Sequence, residues 1–346
     1  MNHPEIFEKD LASIAAQFKE SIHLLAGKSI LVTGATGLIG FNLLSALLKI
    51  EDENALGMKI TAVIRNEEKA QNLFGNKFNR IRFVVSDIRK KIHIDSPIDY
   101  IVHAANQTSS KAFVSEPVET IRTAIDGTIN MLELAREKQI SSFVFLSTME
   151  VYGMPHTDEK ISETHSTDLN TMSVRTCYPE SKRLCESLCS SYAYEYGIST
   201  KVLRLTQTFG PGVDYNDGRV FADFARCAIE KRNIILHTKG ETKRNYLYTA
   251  DAVSAILFVL LKGKSGEAYN AANESTYCSI SEMANVVAKH CAGGDIQVEI
   301  QEADLIQFGY APTLHMNLDT SKLRALGWSP TQDLSSMFDR LIQTMA

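Results

Sequence analysis

The sequence predicts an α/β protein, with a Rossmann-type doubly wound parallel sheet and a smaller mixed α/β substrate-binding lobe. Short apolar runs rich in branched residues alternate with longer segments of helical periodicity as far as residue 206, and the pattern is mixed beyond it. Such alternation is typical of a parallel sheet that helices cover on both faces. A glycine-rich turn at 34–40 follows the first apolar run, where this class of sheet binds phosphates.

The elements follow in chain order from their periodicity. Apolar residues at helical spacing between 5 and 25 predict an amphipathic helix ahead of the sheet. The sheet strands are expected at 28–33, 59–65, 81–85, 100–104, 142–146 and 201–205. Helices are expected at 41–49, 117–138, 178–196, 221–231, 250–261 and 280–291, and a further strand at 233–237.

This pattern divides the chain into three parts. Residues 1–26 form an N-terminal helical extension. Residues 27–206 and 238–263 form the Rossmann domain, and residues 207–237 and 264–346 form the second lobe.

Composition excludes several classes of function. The net charge of −5 gives no electrostatic basis for binding nucleic acid or an anionic membrane surface. No apolar run reaches roughly 18 residues and the N-terminus does not resemble a signal peptide, so we expect a cytoplasmic protein without a membrane span. The six cysteines show no paired metal-ligand spacing, so we interpret them as reduced packing residues and expect no metal site.

The glycine-rich turn carries the first chemical signal. Gly34 permits the tight turn, Gly37 lets the backbone approach a pyrophosphate, and Gly40 allows the helix to pack closely on the strand. Free N–H groups and the helix dipole then attract phosphates. The candidate cofactor-binding residues of this turn are Gly34, Thr36, Gly37, Leu38, Ile39 and Gly40.

Tyr178 and Lys182 carry the second signal, because residues four apart lie on one face of a helix. A tyrosine with a pKa of about 10 is a poor base at neutral pH. A nearby ammonium group and a positively charged nicotinamide ring would lower that pKa. The preceding strand ends in hydroxyl residues, of which Thr148 is suited to hydrogen-bond a substrate hydroxyl.

Together these motifs resemble the extended short-chain dehydrogenases/reductases, the NAD-dependent epimerase/dehydratase family, over essentially the whole chain after residue 26. The resemblance implies an enzyme in which Tyr178 takes the proton from the C4 hydroxyl of a nucleotide-linked sugar. Hydride passes to the nicotinamide of NAD(P), which Tyr178 and Lys182 also contact. The Rossmann domain would bind NAD(P) and the second lobe a nucleotide-diphosphate sugar.

The resemblance implies further cofactor contacts. Asp87 and Ile88 follow the third strand, where the family binds adenine. Ala104 and Ala105 follow the fourth strand, where small residues line the cofactor. At the end of the second strand, Arg65 stands where NAD-specific relatives carry a carboxylate. The family resemblance indicates NAD, whereas Arg65 favours NADP because an arginine pairs with a 2′-phosphate.

The segment around Thr148 resembles sugar-nucleotide 4,6-dehydratases and UDP-glucuronate decarboxylases. Glu150 lies two residues beyond it, where the dehydratase glutamate removes the C5 proton. Met149 replaces the aspartate that protonates the leaving C6 hydroxyl in dehydratases, so standard 4,6-dehydration is in doubt. The alternative is that Glu150 only braces a loop.

The resemblance also implies the substrate contacts and the assembly. Thr148 would contact the sugar hydroxyl that is oxidised, and Gln207 stands where relatives bind the sugar phosphate. Arg219 and Arg244 would bind the diphosphate. Gln207 departs from the asparagine usual at its position, so the substrate's identity does not transfer. Similar enzymes form homodimers through the helices at 117–138 and 178–196.

Three functions stay open. The first is transient oxidation at C4, followed by decarboxylation, dehydration or epimerisation, with the cofactor regenerated. The second is an NADPH-dependent reductase of a 4-keto-6-deoxy-sugar nucleotide, which Arg65 favours and which leaves Glu150 without a chemical task. The third is a non-catalytic dinucleotide-sensing protein, against which the intact Tyr178 and Lys182 argue.

Overall fold

Seven parallel strands form the main sheet of the computed structural model, which describes residues 3–301 and 313–346. The strands are β1 (Ser29–Thr33), β2 (Lys59–Ile64), β3 (Arg82–Val85), β4 (Tyr100–His103), β5 (Ser142–Thr148), β6 (Thr200–Leu205) and β10 (Glu267–Ala271). Their order is β3-β2-β1-β4-β5-β6-β10. The strand order reverses between β1 and β4, so the carboxyl ends of these two strands flank a crevice where such sheets bind ligands.

Helices cover both faces of this sheet, as predicted. The helices of the chain up to residue 262, including α7 of the second lobe, are α1 (Pro4–Gln17), α2 (Leu38–Asn54), α3 (Glu67–Phe74), α4 (Ser110–Ser115), α5 (Pro117–Lys138), α6 (Cys177–Tyr196), α7 (Val220–Glu230) and α8 (Thr249–Lys262). Ile30 and Val32 of β1 pack with α1, α2 and α8, whereas Leu31 packs with α5 and α6 on the opposite face. Every residue of β1 and of β5 is buried, which explains why both strands are nearly continuous apolar runs.

A smaller sheet of mixed direction belongs to the second lobe. It consists of β7 (Gln207–Phe209), β9 (Lys243–Tyr248), β11 (Asn273–Ser279) and β13 (His315–Met316). Strand β9 pairs in parallel with β7 and β13 and antiparallel with β11. The remaining elements are β8 (Ile234–Leu236), β12 (Val298–Ile300), α9 (Ile280–Val286), α10 (Ser321–Arg324) and α11 (Leu334–Met345). The predicted fold class, a Rossmann-type sheet with a smaller mixed lobe, is confirmed.

Two predicted helices are too long. The helix expected over 5–25 ends at Gln17, and a 3₁₀ turn at Ile22–Leu25 follows it. The helix expected over 280–291 ends at Val286 and continues as a π-helical turn. In both cases the apolar residues stay buried beyond the end of the α-helix. The spacing of apolar residues indicates which residues are buried. It does not indicate whether the backbone hydrogen bonds are those of an α-, 3₁₀- or π-helix, so the predicted helix ends are too far along the chain.

Two domain boundaries need correction. Strand β9 lies within 238–263, which the sequence assigned to the Rossmann domain, yet it is in the second sheet. Strand β10 lies within 264–346, assigned to the second lobe, yet it forms the edge of the main sheet beside β6. The chain therefore passes between the two sheets as often as the sequence indicated, but it returns to the main sheet and leaves it again at later residues. The short β10 has only a weak apolar pattern.

The N-terminal helix is tied to the second lobe by a buried polar cluster. Asp10 of α1 accepts hydrogen bonds from Tyr248, at the end of β9, and from Arg340 of α11, both at 2.5 Å. Burial raises the pKa of Asp10 to about 6, against the opposing effect of its two partners. Among the residues that the structure describes, we find no helix with the length and apolar character needed to cross a bilayer.

Candidate active site

The glycine turn lies between β1 and α2 and depends on close backbone contacts. Gly34 has a φ of +72°, and a Cβ added there would lie 2.8 Å from the backbone of Ala104 and Ala105. A Cβ added at Gly40 would lie 2.2 Å from the carbonyl oxygen of Gly34. Larger residues would therefore push the turn apart, which agrees with the predicted need for glycine at both positions.

The turn fits the pyrophosphate of a dinucleotide. Helix α2 is 17 residues long, and its N-cap residue Gly37 provides no side-chain acceptor for the first N–H groups. These donors and the helix dipole suit an anion. Ala104 and Ala105 follow β4, and their backbone lies directly beside Gly34. Gly37, Leu38 and Ile39 would bind the phosphates of NAD(P) through their backbone.

Two arginines flank the predicted adenosine end of the site. Asp87 accepts hydrogen bonds from Nε of Arg89 at 2.9 Å and from its Nη2 at 2.6 Å, and this pairing lowers the pKa of Asp87. Arg65 follows β2 with an exposed side chain, and its charge also acts on Asp87. Ile88 is buried against Gly127 of α5, where an added Cβ would lie 2.6 Å from Ile88 Cδ1.

The structure brings Thr148 and Tyr178 together. Thr148 is the last residue of β5, and Tyr178 is the second residue of α6, with both side chains buried. Burial raises the pKa of the Tyr178 phenol well above its usual value, and the charge of Glu150 raises it further. The hydrogen bond with Thr148 and the charge of Arg175 lower it. The protein's own groups therefore leave the pKa of Tyr178 above its usual value. That Lys182 and a bound nicotinamide ring together lower this pKa stays a prediction.

Lys182 lies one helical turn beyond Tyr178 and is buried. Its Nζ donates a 2.6 Å hydrogen bond to the carbonyl oxygen of Leu146 and lies 6.0 Å from the centroid of the Tyr178 ring. Burial lowers the pKa of Lys182 to about 8.

Burial, together with the charge of Lys182, lowers the pKa of His103 to about 3. Nζ of Lys182 lies 4.5 Å from the centroid of the Phe145 ring, and that centroid lies 5.9 Å from the centroid of the His103 ring. Nδ1 of His103 lies 2.7 Å from the Thr33 hydroxyl, so the two rings connect α6 to the end of β1.

Glu150 forms an ion pair that the sequence did not predict. It lies in a 3₁₀ turn directly after β5, and its Oε2 accepts a 3.0 Å hydrogen bond from Nη2 of Arg175. The guanidinium carbon of Arg175 lies 4.8 Å from the ring centroid of Phe113. That ring stacks on Tyr178 with centroids 4.3 Å apart and an interplanar angle of 11°. Arg175 and Phe113 therefore belong to the site.

A largely buried polar network joins the segments that carry the candidate catalytic residues. Glu186, one helical turn after Lys182, pairs with Arg204 of β6 at 2.6 Å. Glu186 also accepts a hydrogen bond from Ser147, the neighbour of Thr148, and Arg204 donates to the phenol oxygen of Tyr152. The network links β5, α6 and β6 at the point where the catalytic side chains emerge.

The predicted substrate residues separate into two groups. Nη1 of Arg244 donates a 3.3 Å hydrogen bond to Oε1 of Gln207, so these two lie together. Nε of Arg244 is buried and has no partner among the described residues. Arg219 instead pairs with Asp217 at 2.6 Å and lies 4.7 Å over the ring of Phe221.

Sequence reasoning found the glycine turn and the Thr148, Tyr178 and Lys182 group, but it missed Arg175 and Phe113. Arg175 lies three residues before Tyr178, and this spacing could have indicated that the two side chains lie close together. Arg175 stands in a segment without apolar periodicity, however, and the short 3₁₀ turn there was not predicted. Phe113 offers no signal, because only the tertiary structure places α4 beside α6.

Comparisons with known proteins agree with this geometry. The model of the NAD dependent epimerase/dehydratase family matches residues 30–272. UDP-glucuronic acid decarboxylase 1 of Xenopus tropicalis is 28% identical over 318 residues, which cover 91% of this chain and 71% of that protein. These findings favour neither the reductase nor the dinucleotide-sensing alternative.

Solved structures share the fold. The UDP-glucose 4-epimerase of Thermotoga maritima has a TM-score of 0.77 at 23% identity, covering 91% of this chain and 98% of that one. The dTDP-glucose 4,6-dehydratase of Bacillus anthracis, in complex with NAD, has a TM-score of 0.73 at 22% identity, covering 91% and 96%. Together with the family match, this places the chain in the NAD-dependent epimerase/dehydratase family of enzymes.

Proposed function

We propose that this protein is an NAD(P)-dependent enzyme that oxidises C4 of a nucleotide-diphosphate sugar transiently and then regenerates its cofactor. The observation that carries the proposal is the approach of Thr148, Tyr178 and Lys182 at the carboxyl end of β5. The rings of Phe145 and His103 connect this group to the end of β1. The family to which the chain belongs supports the same chemistry.

Each catalytic residue has a task in this mechanism. When bound, the nicotinamide accepts a hydride from C4 and later returns it. Thr148 hydrogen-bonds the C4 hydroxyl and orients it toward the phenolate oxygen of Tyr178, which takes the hydroxyl proton as the C4–O bond becomes a carbonyl. The Lys182 ammonium stabilises the phenolate by its positive charge, and burial strengthens that interaction.

Arg244 and Gln207 are suited to the diphosphate. A buried guanidinium nitrogen without a partner is costly, and a phosphate oxygen would supply that partner. Arg219 is available from a second segment, although Asp217 already binds it. We therefore assign the anionic part of the substrate to the side of the site that β7 and β9 form.

Among the net reactions, decarboxylation suits the site best. A ketone at C4 turns a C6 carboxylate into a β-keto acid, which loses CO₂ with the carbonyl as electron sink and needs no acid at the position of Met149. The side chain of Met149 is buried and accepts a 3.2 Å hydrogen bond from Thr206, so it offers no proton for 4,6-dehydration. The similarity to a UDP-glucuronic acid decarboxylase supports a nucleotide hexuronate as substrate.

The test is incubation with UDP-glucuronate, UDP-glucose, dTDP-glucose and dTDP-4-keto-6-deoxyglucose, each with and without NADPH. We expect release of CO₂ and formation of a nucleotide pentose from UDP-glucuronate without added reductant. Stoichiometric loss of NADPH on the keto sugar would establish the reductase instead. No turnover in any mixture, with a protein that binds NAD, would overturn the proposal.

Arg65 bears on the choice between NAD and NADP. We propose that both dinucleotides bind, because the exposed guanidinium can pair with a 2′-phosphate without obstructing a ribose diol. Arg65→Asp should weaken NADP binding at least tenfold, through lost attraction and added repulsion, while leaving NAD binding within about twofold. Isothermal titration of both dinucleotides measures this, and an equal loss for both would contradict the assignment.

The homodimer is supported by exposed apolar side chains on α5 and α6, whose helices pack as a pair. They are Val118, Ile121, Ile129 and Leu184. On α5 these residues recur at helical spacing, and a second copy of the same helix pair would cover them around a two-fold axis. Ile121→Asp combined with Leu184→Asp should yield a monomer in size-exclusion chromatography with light scattering. A double variant that remains dimeric would show that the interface lies elsewhere on the protein.

A further inference from the structure

Arg175 stands out because it is the cation that directly pairs with a carboxylate at the reacting phenol. One of its nitrogens holds Oε2 of Glu150 at 3.0 Å, and its guanidinium lies over the Phe113 ring that stacks on Tyr178. Both charged side chains are about one-third exposed, so they remain within reach of a substrate. The pair, the ring and the phenol form one continuous stack of contacts.

The charges in this stack oppose each other at Tyr178. Glu150 disfavours the phenolate, because two negative charges would lie close together in a buried site, whereas Arg175 favours it. The other polar groups facing the phenol are the Thr148 hydroxyl and, on its own helix, the Lys182 ammonium. The proposed reaction needs Tyr178 ionised beside the Glu150 carboxylate, and two neighbouring negative charges require a compensating cation.

We propose that Arg175 is a positioning residue that fixes the Glu150 carboxylate beside Tyr178 and cancels its charge there, so that the phenol can give up its proton with Glu150 ionised. The inference rests on the proposed oxidation at C4. It assigns to Arg175 no contact with the reacting atoms, because its effect passes through Glu150 and Phe113.

The experiment compares four proteins: wild type, Arg175→Gln, Glu150→Gln and the double variant. Each is loaded with NAD, mixed with UDP-glucuronate in a single turnover, and followed by nicotinamide absorbance, which reports oxidation at C4 before any later step. We expect Arg175→Gln to be about tenfold slower at pH 7 and to approach the wild-type rate at high pH. The uncompensated Glu150 carboxylate would raise the pKa of Tyr178, which moves the acidic limb of the pH–rate profile to higher pH. The double variant should return toward the wild-type pH profile.

A purely structural role predicts a different result. Loss of packing would slow Arg175→Gln equally at all pH values, and removing Glu150 as well would not restore the profile. Either outcome would overturn the proposal. Arg175→Lys keeps the charge and should recover most of the rate at pH 7. Arg232→Gln, which removes an exposed arginine paired with Glu230 on the distant α7, should leave the profile unchanged.

A second measurement separates this inference from the proposed function. The ultraviolet tyrosinate band of Tyr178, isolated by subtracting the Tyr178→Phe spectrum, is titrated in the NAD-loaded proteins without substrate. The band should appear at higher pH in Arg175→Gln than in wild type, and the double variant should reverse that change. If wild type oxidises no nucleotide sugar but these titrations behave as expected, the proposed function fails and the role of Arg175 stands.

Discussion

The glycine turn and the catalytic corner, formed by Thr148–Tyr152 and Arg175–Lys182, meet their ligands in different ways. The turn uses backbone: what matters is the absence of side chains at Gly34 and Gly40, where an added Cβ would meet main-chain atoms below 3 Å. The corner uses side chains from a strand end, a 3₁₀ turn and the start of a helix. Glu150 and Tyr178 contact other side chains there, and Lys182 is held by the carbonyl oxygen of Leu146. Backbone sites are determined by local spacing, whereas side-chain sites depend on tertiary contacts.

The largest effect should come from the corner. Tyr178→Phe removes the proton acceptor while keeping the ring that stacks on Phe113, so turnover should fall by about 10³-fold with NAD binding nearly unchanged. Steady-state rates and NAD titration measure the two effects separately. Tyr194→Phe, on the same helix but fully exposed to solvent, is the matched control and should keep full activity. Normal turnover of Tyr178→Phe would remove this residue as the base.

An intermediate effect should come from the turn. Gly40→Ala places a Cβ 2.2 Å from the Gly34 carbonyl, so the turn must shift, and we expect NAD affinity to fall about 100-fold and stability by about 2 kcal/mol. Gly218→Ala, where an added Cβ meets nothing within 4 Å, should leave NAD binding unchanged. If Gly40→Ala bound NAD normally, close backbone packing would not be what the turn contributes.

The smallest effect concerns the free energy of unfolding that the protein loses by burying the Lys182 ammonium in the catalytic corner. Burial lowers the pKa of Lys182 to about 8 from 10.5, so the folded protein binds fewer protons than the unfolded chain between those values. Stability therefore rises with pH across that window, and below pH 8 the fold bears the full cost of a buried ammonium. Lys182→Met should be inactive yet more stable at pH 7 by about 1 kcal/mol, a difference that shrinks toward pH 10.5.

Urea unfolding at pH 7 and pH 10 tests this, with Lys201→Met as the comparison. Lys201 is a second buried lysine with a pKa lowered to about 8, but its Nζ bonds to Ser142 and Ser199 and not to the catalytic residues. It should show the same pH-dependent change in stability with activity retained. A stability difference between wild type and Lys182→Met that does not vary with pH would contradict the assigned cause.

The same contrast explains how far the sequence could be interpreted. Helix α5 was predicted with its bounds, and the turn with its glycines, because both depend on local periodicity and spacing. The ion pair of Glu150 with Arg175 was not predicted, since the partners lie 25 positions apart along a largely irregular segment. Strand β10 was missed because an edge strand needs only a weak apolar pattern, and its place beside β6 follows from a long crossover.

The orientation of Met149 limits how this scaffold could be redesigned. Its thioether is enclosed by Val151, Tyr152 and residues of the smaller lobe. An aspartate introduced there would place its carboxyl group in that apolar cluster, at the energetic cost of a desolvated acid. For the decarboxylase that we propose, a change to elimination of water from C6 would thus require rebuilding the turn that carries the residue, because a single replacement would weaken the protein.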